Sequence, residues 1–400
     1  DEKQVANVKE LIVDIVEEIK NIPKHIFERF VDNASAWMEK NLKFFDEKQK
    51  SKLWHIMIDA LEYRDEEKKE QNMDGDYVNQ AINRAEGRLT WMVFAGWQQR
   101  GKGEGFEENI APFMDRLVQL QNYSGSLIRC IMIRNLHYLY FIAPDWTEKN
   151  IISYLQEDKP TRWIVWDGYR YRPEYLPQAD LFRKMRPAIL DVFHTPEQKT
   201  DADLDESYKV KNDLIMLLVL ILLYREKEDY NITPQEIRQL LRKIDDEARR
   251  FIIGDLRVNI RKRPEKEKEQ KAQYFFEKIW PLDAKFLTED ILSEIIFFVV
   301  DMKYAFPECL KAVKDFLRPI KLPYPAHYSK KEKPHLAEEF PEEMLELLYL
   351  TINDQTPLFY AFEAINNMLD DIRQAKPELA NDSRFQKLQH LVDKTQRDLS

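Results

Sequence analysis

Glycine is scarce in this chain: nine in 400 residues, about 2% where roughly 7% is usual. Folds whose chemistry depends on tight turns at positive φ, such as Rossmann and P-loop sheets with their phosphate-cradling loops, need more of it. Eight of the nine lie between Gly75 and Gly168, and Gly254 is the only one after that. The second half must therefore turn by polar or prolyl corners, and the chain is expected to be all-helical.

Cysteine is equally sparse. Cys130 and Cys309 are the only two. Each sits in an apolar run, where a reduced, buried thiol is the ordinary state. No disulfide framework is expected, which points to a reducing, cytoplasmic setting. The chain begins with Asp1 and an amphipathic segment without the pattern of a signal peptide, and reads as part of something longer. A membrane-spanning run is also missing. The longest candidate, Leu214 to Tyr224, has eleven apolar residues, about 16 Å of helix against a hydrocarbon core of about 30 Å. An apolar helix of that length suits the middle of a packed layer, so no membrane is expected among the partners.

Charge and apolar residues are both abundant, at 33% and 44%, which excludes general disorder. The net charge of −10 makes nucleic acid an unlikely partner for the whole surface, while leaving a local basic face open. Helical spacing runs through most of the chain. Val5, Val8, Ile12, Ile15, Val16 and Ile19 form one stripe, and Phe385, Leu388, Leu391 and Val392 another. About eighteen helical segments are predicted. Thr233-Pro234-Gln235-Glu236 has the form of a capping box with proline in the first turn, and Asp145 to Glu148 and Thr195 to Gln198 look similar.

Phe306-Pro307-Glu308, Phe340-Pro341-Glu342 and Lys376-Pro377-Glu378 place prolines 34 and 36 residues apart. That interval suits one helix pair, the unit of a HEAT- or TPR-like α-solenoid, although Pro-Glu is also a common helix opening. The expected architecture is an all-α helical-repeat solenoid with an N-terminal array over 1–200 and a C-terminal repeat array over 201–400. A break is expected near Thr195 to Ser207, and an exposed corner over Leu322 to Pro334.

Candidate chemical sites fail in turn. Gly101-Lys102-Gly103-Glu104-Gly105 has no preceding strand and no following Gly-Lys-Ser/Thr, so it is read as a helix connector. Asp201, Asp203 and Asp205 resemble the start of a calcium loop, but Glu206 stands where glycine is needed and Asn212 where the closing glutamate belongs. The seven histidines never pair at i, i+4 to aim two imidazoles at one metal. No catalytic, cofactor-binding or metal-binding residue is assigned, and no cofactor is expected.

Two stretches carry binding chemistry. Trp163, Trp166, Tyr169, Arg170, Tyr171 and Arg172 are of the types enriched at protein-binding hot spots, and equally of the types that pack a helix face. Between Arg249 and Lys271 nine basic residues crowd together, partly interleaved with Glu265, Glu267 and Glu269 as on a solvated helix. Arg250, Arg257 and Arg261, at spacings of seven and four, form a narrow nucleic-acid ridge if their neighbours face the core.

Glu86-Gly87-Arg88-Leu89, Arg134-Asn135-Leu136 leading to Ile142-Ala143-Pro144-Asp145-Trp146-Thr147, Trp166-Asp167-Gly168-Tyr169, Ala305-Phe306-Pro307-Glu308 and Asn381-Asp382-Ser383-Arg384-Phe385 occur in that order. Together they resemble the helical C-terminal region behind the sirtuin-like domains of bacterial antiphage defence proteins, over about residues 85 to 395. The resemblance implies a sensor or assembly region attached to an NAD-hydrolysing domain. The Gly-rich nucleotide-binding domain is missing from this chain, so no catalytic residue carries over. The expected function is a non-catalytic regulatory module whose partner is a phage protein or an N-terminal effector domain, with homo-oligomers possible. The alternative is a nucleic-acid-binding helical array using Arg249 to Lys271.

Overall fold

The computed structural model describes residues 11, 14–64, 76–94, 101–156, 162–170, 176–194, 201–321, 335–356, 358 and 361–399, the side chains of 201–207 and 399 excepted. Tyr171, Arg172, the Thr195 to Gln198 cap and the corner over Leu322 to Pro334 lie outside the described residues. Within them the chain is all-α, with 22 helices and no strand. Eighteen have seven residues or more, and four are single turns of three or four. Those four account for the shortfall in the sequence count: pieces such as Ser153–Leu155 and Leu336–Glu339 are too short to show a 3.6-residue period.

The chain divides into two compact units, Asp1–Leu214 and Ile215–Ser400. The longer helices of the first are α1 (Val31–Asn41), α2 (Glu47–Glu62), α3 (Tyr77–Asn83), α4 (Ala85–Phe94), α5 (Ala111–Gln119), α6 (Tyr123–Arg134), α7 (Leu136–Ile142), α8 (Arg162–Arg170) and α9 (Ala179–Val192). The unit boundary falls inside α10 (Asp201–Tyr224). The second unit continues with α11 (Pro234–Lys243), α12 (Asp246–Ile260), α13 (Glu265–Tyr274), α14 (Glu289–Asp301), α15 (Phe306–Val313), α16 (Pro341–Thr351), α17 (Phe362–Ala375) and α18 (Ser383–Leu399).

In the first unit α6 is the axis: every residue from Ser124 to Ile133 is buried, beneath α3, α4 and α8. The approach of α8 to α6 is set by Gly168, where a Cβ would lie 2.1 Å from the Cys130 carbonyl oxygen. Gly87 meets the Ala81 carbonyl in the same way, again at 2.1 Å. Glycine is thus used here for close helix contact. In the second unit α12 packs on α14, α13 on α15, and α16, α17 and α18 on one another. From Leu214 to Ile221 every residue of α10 is buried. Among the described residues no helix is long and apolar enough to cross a membrane.

Helix starts follow local rules. Thr233 closes the expected capping box, its hydroxyl accepting from the Glu236 N–H at 3.2 Å while Glu236 accepts from the Thr233 N–H at 3.0 Å. Asp46 and Gln49 form a second box at α2. Asp145 lies inside the turn Pro144–Thr147, whose N-cap is Ala143 without a side-chain cap bond. Pro307 and Pro341 sit in the first turns of α15 and α16, whereas Pro377 opens a 3₁₀ turn, Pro377–Asn381. The three Pro-Glu steps do not open equivalent elements.

Helix ends follow a different rule. A helix leaves its last carbonyls unpaired, and a following glycine in the left-handed conformation is the common remedy. Here side chains from neighbouring helices reach in. Arg129 of α6 donates to the Val118 and Leu120 carbonyls at the end of α5, at 2.6 Å each, with its guanidinium 4.1 Å from the centre of the Tyr154 ring. Arg249 of α12 donates to the Leu241 carbonyl at 2.9 Å and to that of Ile244, at the end of α11, and stacks 4.7 Å over Phe286. Lys271 donates to Leu223 near the end of α10, and Asn122 to Leu61 near the end of α2 at 2.7 Å. Gly103 and Gly105, both at positive φ, donate their N–H groups to Phe141 and Ile142 at the end of α7, at 2.9 and 2.7 Å. Lys303, just past α14, takes the left-handed position itself, at φ 56°.

Candidate functional site

The aromatic run divides. Trp163 and Trp166 are buried, 7% and 0% exposed. Both belong to the packing of α8, and burial removes them from an exposed recognition patch. Tyr169 is half-buried and edge-on to Trp166. Arg170 binds Asp167 at 3.1 Å and Asp213 at 2.5 Å. Asp167 also accepts from the Val78 N–H at 3.2 Å, tying α8 to the start of α3. Burial raises the pKa of Asp167 and of Asp213 despite the opposing charge of Arg170. The Trp166-Asp167-Gly168-Tyr169 stretch lies within α8 and is therefore a packing joint.

Glu86-Gly87-Arg88-Leu89 is a second joint. Glu86 is fully buried and accepts from the Ser124 hydroxyl at 2.7 Å and from Arg64 at 3.0 Å, with Arg84 at 3.3 Å. Arg64 also binds Asp32 at 2.5 Å. Burial opposes ionisation of Asp32, but the Ala85 N–H and Arg64 outweigh it and hold the carboxyl below its usual range. In the other quoted motifs, Trp146 donates its indole N–H to Asp115 at 2.7 Å and Asp382 binds Arg384 at 2.7 Å.

The basic segment is largely spent inside the second unit. Arg249 and Lys271 close helix ends, and Lys268, 4% exposed, lies 2.8 Å from Glu265 and 3.5 Å from the Met302 carbonyl. Arg257 stands between Glu294 at 3.5 Å and Asp301 at 3.3 Å, its cation 5.2 Å from the Phe297 ring centre. Arg261 is 4.0 Å from Asp301, and Arg250 is exposed. The ridge of Arg250, Arg257 and Arg261 thus has carboxylates of α14 beside it. In the Gly101 to Gly105 connector, the N–H groups of Gly103 and Gly105 are already bonded to carbonyls, which leaves them no donor for a phosphate. The backbone of Asp201 to Asp205 is helical. No cluster of three metal-ligating side chains occurs among the described residues.

The structure adds an open cleft of about 590 Å³ in the first unit, within the range of ~300–1,000 Å³ common for ligand sites. Its walls come from the end of α1, the turn after it, α2, α4 and the stretch leading into α5. Trp54, Met92, Val93 and Ile110 supply the apolar part, and Lys40, Lys43, Lys50, Glu39, Glu47 and Glu107 the charges. Trp54 is 4% exposed and edge-on to Phe113 at 5.1 Å. Its indole N–H finds no hydrogen-bond partner among the described residues, a state costing about 1–3 kcal/mol when buried. Lys50 binds Glu47 at 2.7 Å, and Glu39 lies 3.8 Å from Arg88. Among the described residues Lys40 and Lys43 have no ion-pair partner; Lys43 lies over the Phe44 ring at 4.9 Å. Sequence reasoning missed this site. Its residues come from three stretches around 39–54, 92–93 and 107–110, and the Lys-Glu alternation of the first reads as a solvated face.

Comparison with known proteins returns one informative similarity. The chain is 22% identical over 334 residues to the uncharacterized protein y4cA of Sinorhizobium fredii (strain NBRC 101917 / NGR234), covering 80% of this chain and 26% of y4cA. The chain spans about a quarter of the length of that curated relative. No family matches it, and no solved structure does.

Proposed function

We propose that the chain is a non-catalytic helical module that recognises a protein partner, or governs assembly of an effector domain, within a longer bacterial defence protein. The observation that supports this best is the division of labour among polar groups. Buried arginines, lysines and carboxylates at the resemblance motifs and in the basic segment hold helix ends and helix joints. The cleft beside Trp54 combines an apolar wall with Lys40 and Lys43, two cations that have no ion-pair partner among the described residues. A scaffold of this kind suits recognition, because packing is settled inside and surface positions vary with the partner. Helix pairs stacked in a HEAT- or TPR-like order are the arrangement we propose for it. The partial coverage of y4cA agrees with a region inside a longer polypeptide, and the defence setting rests on the order of the five motifs.

The nucleic-acid reading is not carried forward, since most of its cations already face carbonyls or carboxylates of their own unit. The complete reading frame around residues 1–400 supplies the test. Cells expressing the full-length protein are challenged with phage beside cells expressing it without this region. Loss of protection with NAD hydrolysis still measurable in the purified remainder supports a sensor. Protection unchanged by the deletion would sink the module reading. A frame without any NAD-hydrolysing domain would remove the defence setting alone.

A further inference from the structure

The cleft between α1, α2, α4 and the lead-in to α5 has a chemistry that narrows its occupant, and the geometry points to a peptide segment of a protein partner in which an acidic residue flanks an aliphatic or aromatic anchor. This deepens the protein-partner reading and rests on it. Trp54, Met92, Val93 and Ile110 give the cleft an apolar part of its lining, which suits a Leu or Phe side chain. Trp54 contributes ring surface to the cleft; its N–H, although without a partner among the described residues, is itself buried and is not offered to an occupant. Lys40 and Lys43, on the α1 side, are the wall cations without a carboxylate among the described residues, whereas Lys50 is neutralised by Glu47.

Glu47 is paired with Lys50 and Glu39 lies 3.8 Å from Arg88, so Lys40 and Lys43 are left to attract one or two acidic side chains, while three carboxylates in the same walls weigh more heavily against a continuous phosphate backbone. The cleft opens to solvent, so an extended chain can cross it, which an enclosed metabolite cavity would not allow.

The test uses the full chain and fluorescein-labelled twelve-residue peptides, followed by anisotropy. One set carries Asp or Glu within two positions of Leu or Phe; a matched set has Asn or Gln in place of the acid. The acidic set is expected to bind at least about tenfold tighter, with the difference shrinking as salt is raised. The double variant Lys40→Glu with Lys43→Glu, both at exposed positions, should abolish the preference while leaving the helical circular dichroism unchanged. Trp54→Phe should weaken both sets severalfold. Equal binding of the two sets, binding indifferent to the lysine reversal, or no peptide binding at all would overturn the assignment. So would binding of a twelve-residue oligothymidylate that the lysine reversal removes. If any of these occurs while deletion of the region still abolishes protection, the module reading stands and the cleft assignment alone falls.

Discussion

Replacing Arg129 by methionine tests the rule that buried cations finish the helices of this chain. Methionine keeps most of the apolar stem and removes the guanidinium. The Val118 and Leu120 carbonyls, each receiving a 2.6 Å hydrogen bond, lose that donor beneath α6. An orphaned buried acceptor costs about 1–3 kcal/mol, or roughly 2–6 for the pair. The stack on Tyr154 at 4.1 Å adds about 1–2 kcal/mol to the loss. Against this, removing a cation that is only 2% exposed returns several kcal/mol of desolvation. The net expectation is a destabilisation of about 2–4 kcal/mol, or roughly 5–15 °C in midpoint for a unit of this size. Urea unfolding followed by circular dichroism gives the number, and amide exchange should locate the fraying at the end of α5. Arg250→Met, at an exposed position, is the control and should stay within about 0.5 kcal/mol. A loss for Arg129→Met no larger than the control, or exchange that speeds up uniformly, would refute the reasoning.

Three further outcomes follow from the same structure. Gly168→Ala should destabilise the first unit by about 2 kcal/mol or more, since its Cβ would meet a backbone oxygen at 2.1 Å. Gly254→Ala, whose Cβ would meet only the tip of Glu294 at 3.3 Å, should gain about 0.5–1 kcal/mol; thermal melts of the two variants give the sign of each. Cys130 and Cys309 should not react with an aromatic disulfide reagent at pH 8 in the folded state and should titrate as two thiols in denaturant. Burial pushes both thiols up, Cys309 to about 12, and the absorbance of released thiolate reports it.

Stability should rise as pH falls from neutral toward the ordinary carboxylate range near 4, because Asp167, Asp213 and Glu294 have raised pKa values and their ionised forms oppose folding until they protonate. Below that range it should fall, as Asp32, whose pKa is lowered, takes up a proton and loses its hold on Arg64. Asp213→Asn should flatten the upper limb of this profile; an unchanged profile would contradict the assignment.

Much of the fold was legible because helical period and start signals are local. The Thr233 box and the apolar face of α18 need only their own residues, and the glycine count alone favoured helices over nucleotide-binding sheets. What was not legible depended on distance in sequence. Arg249 and Lys271 looked like members of a charge run, and only the carbonyls of Leu241, Ile244 and Leu223 give them a purpose. Trp163 and Trp166 had the composition of a recognition patch and the spacing of a core, and burial decided for the core. The cleft at Trp54 was invisible for the same reason: Met92 and Ile110 share a wall with Lys40 only after the chain has folded.

A glycine cap belongs to the helix it ends and travels with it. At the ends of α2, α5, α10 and α11 the finishing group is lent by a side chain from elsewhere in the fold, so each of these borrowers is held in phase with its lender. One residue inserted between Tyr123 and Arg129 would turn the arginine about 100° around its axis, away from the carbonyls it serves. These helices should tolerate substitution on their outer faces better than a change of length, and natural variation in this scaffold should fall in the corners and spare the helix lengths.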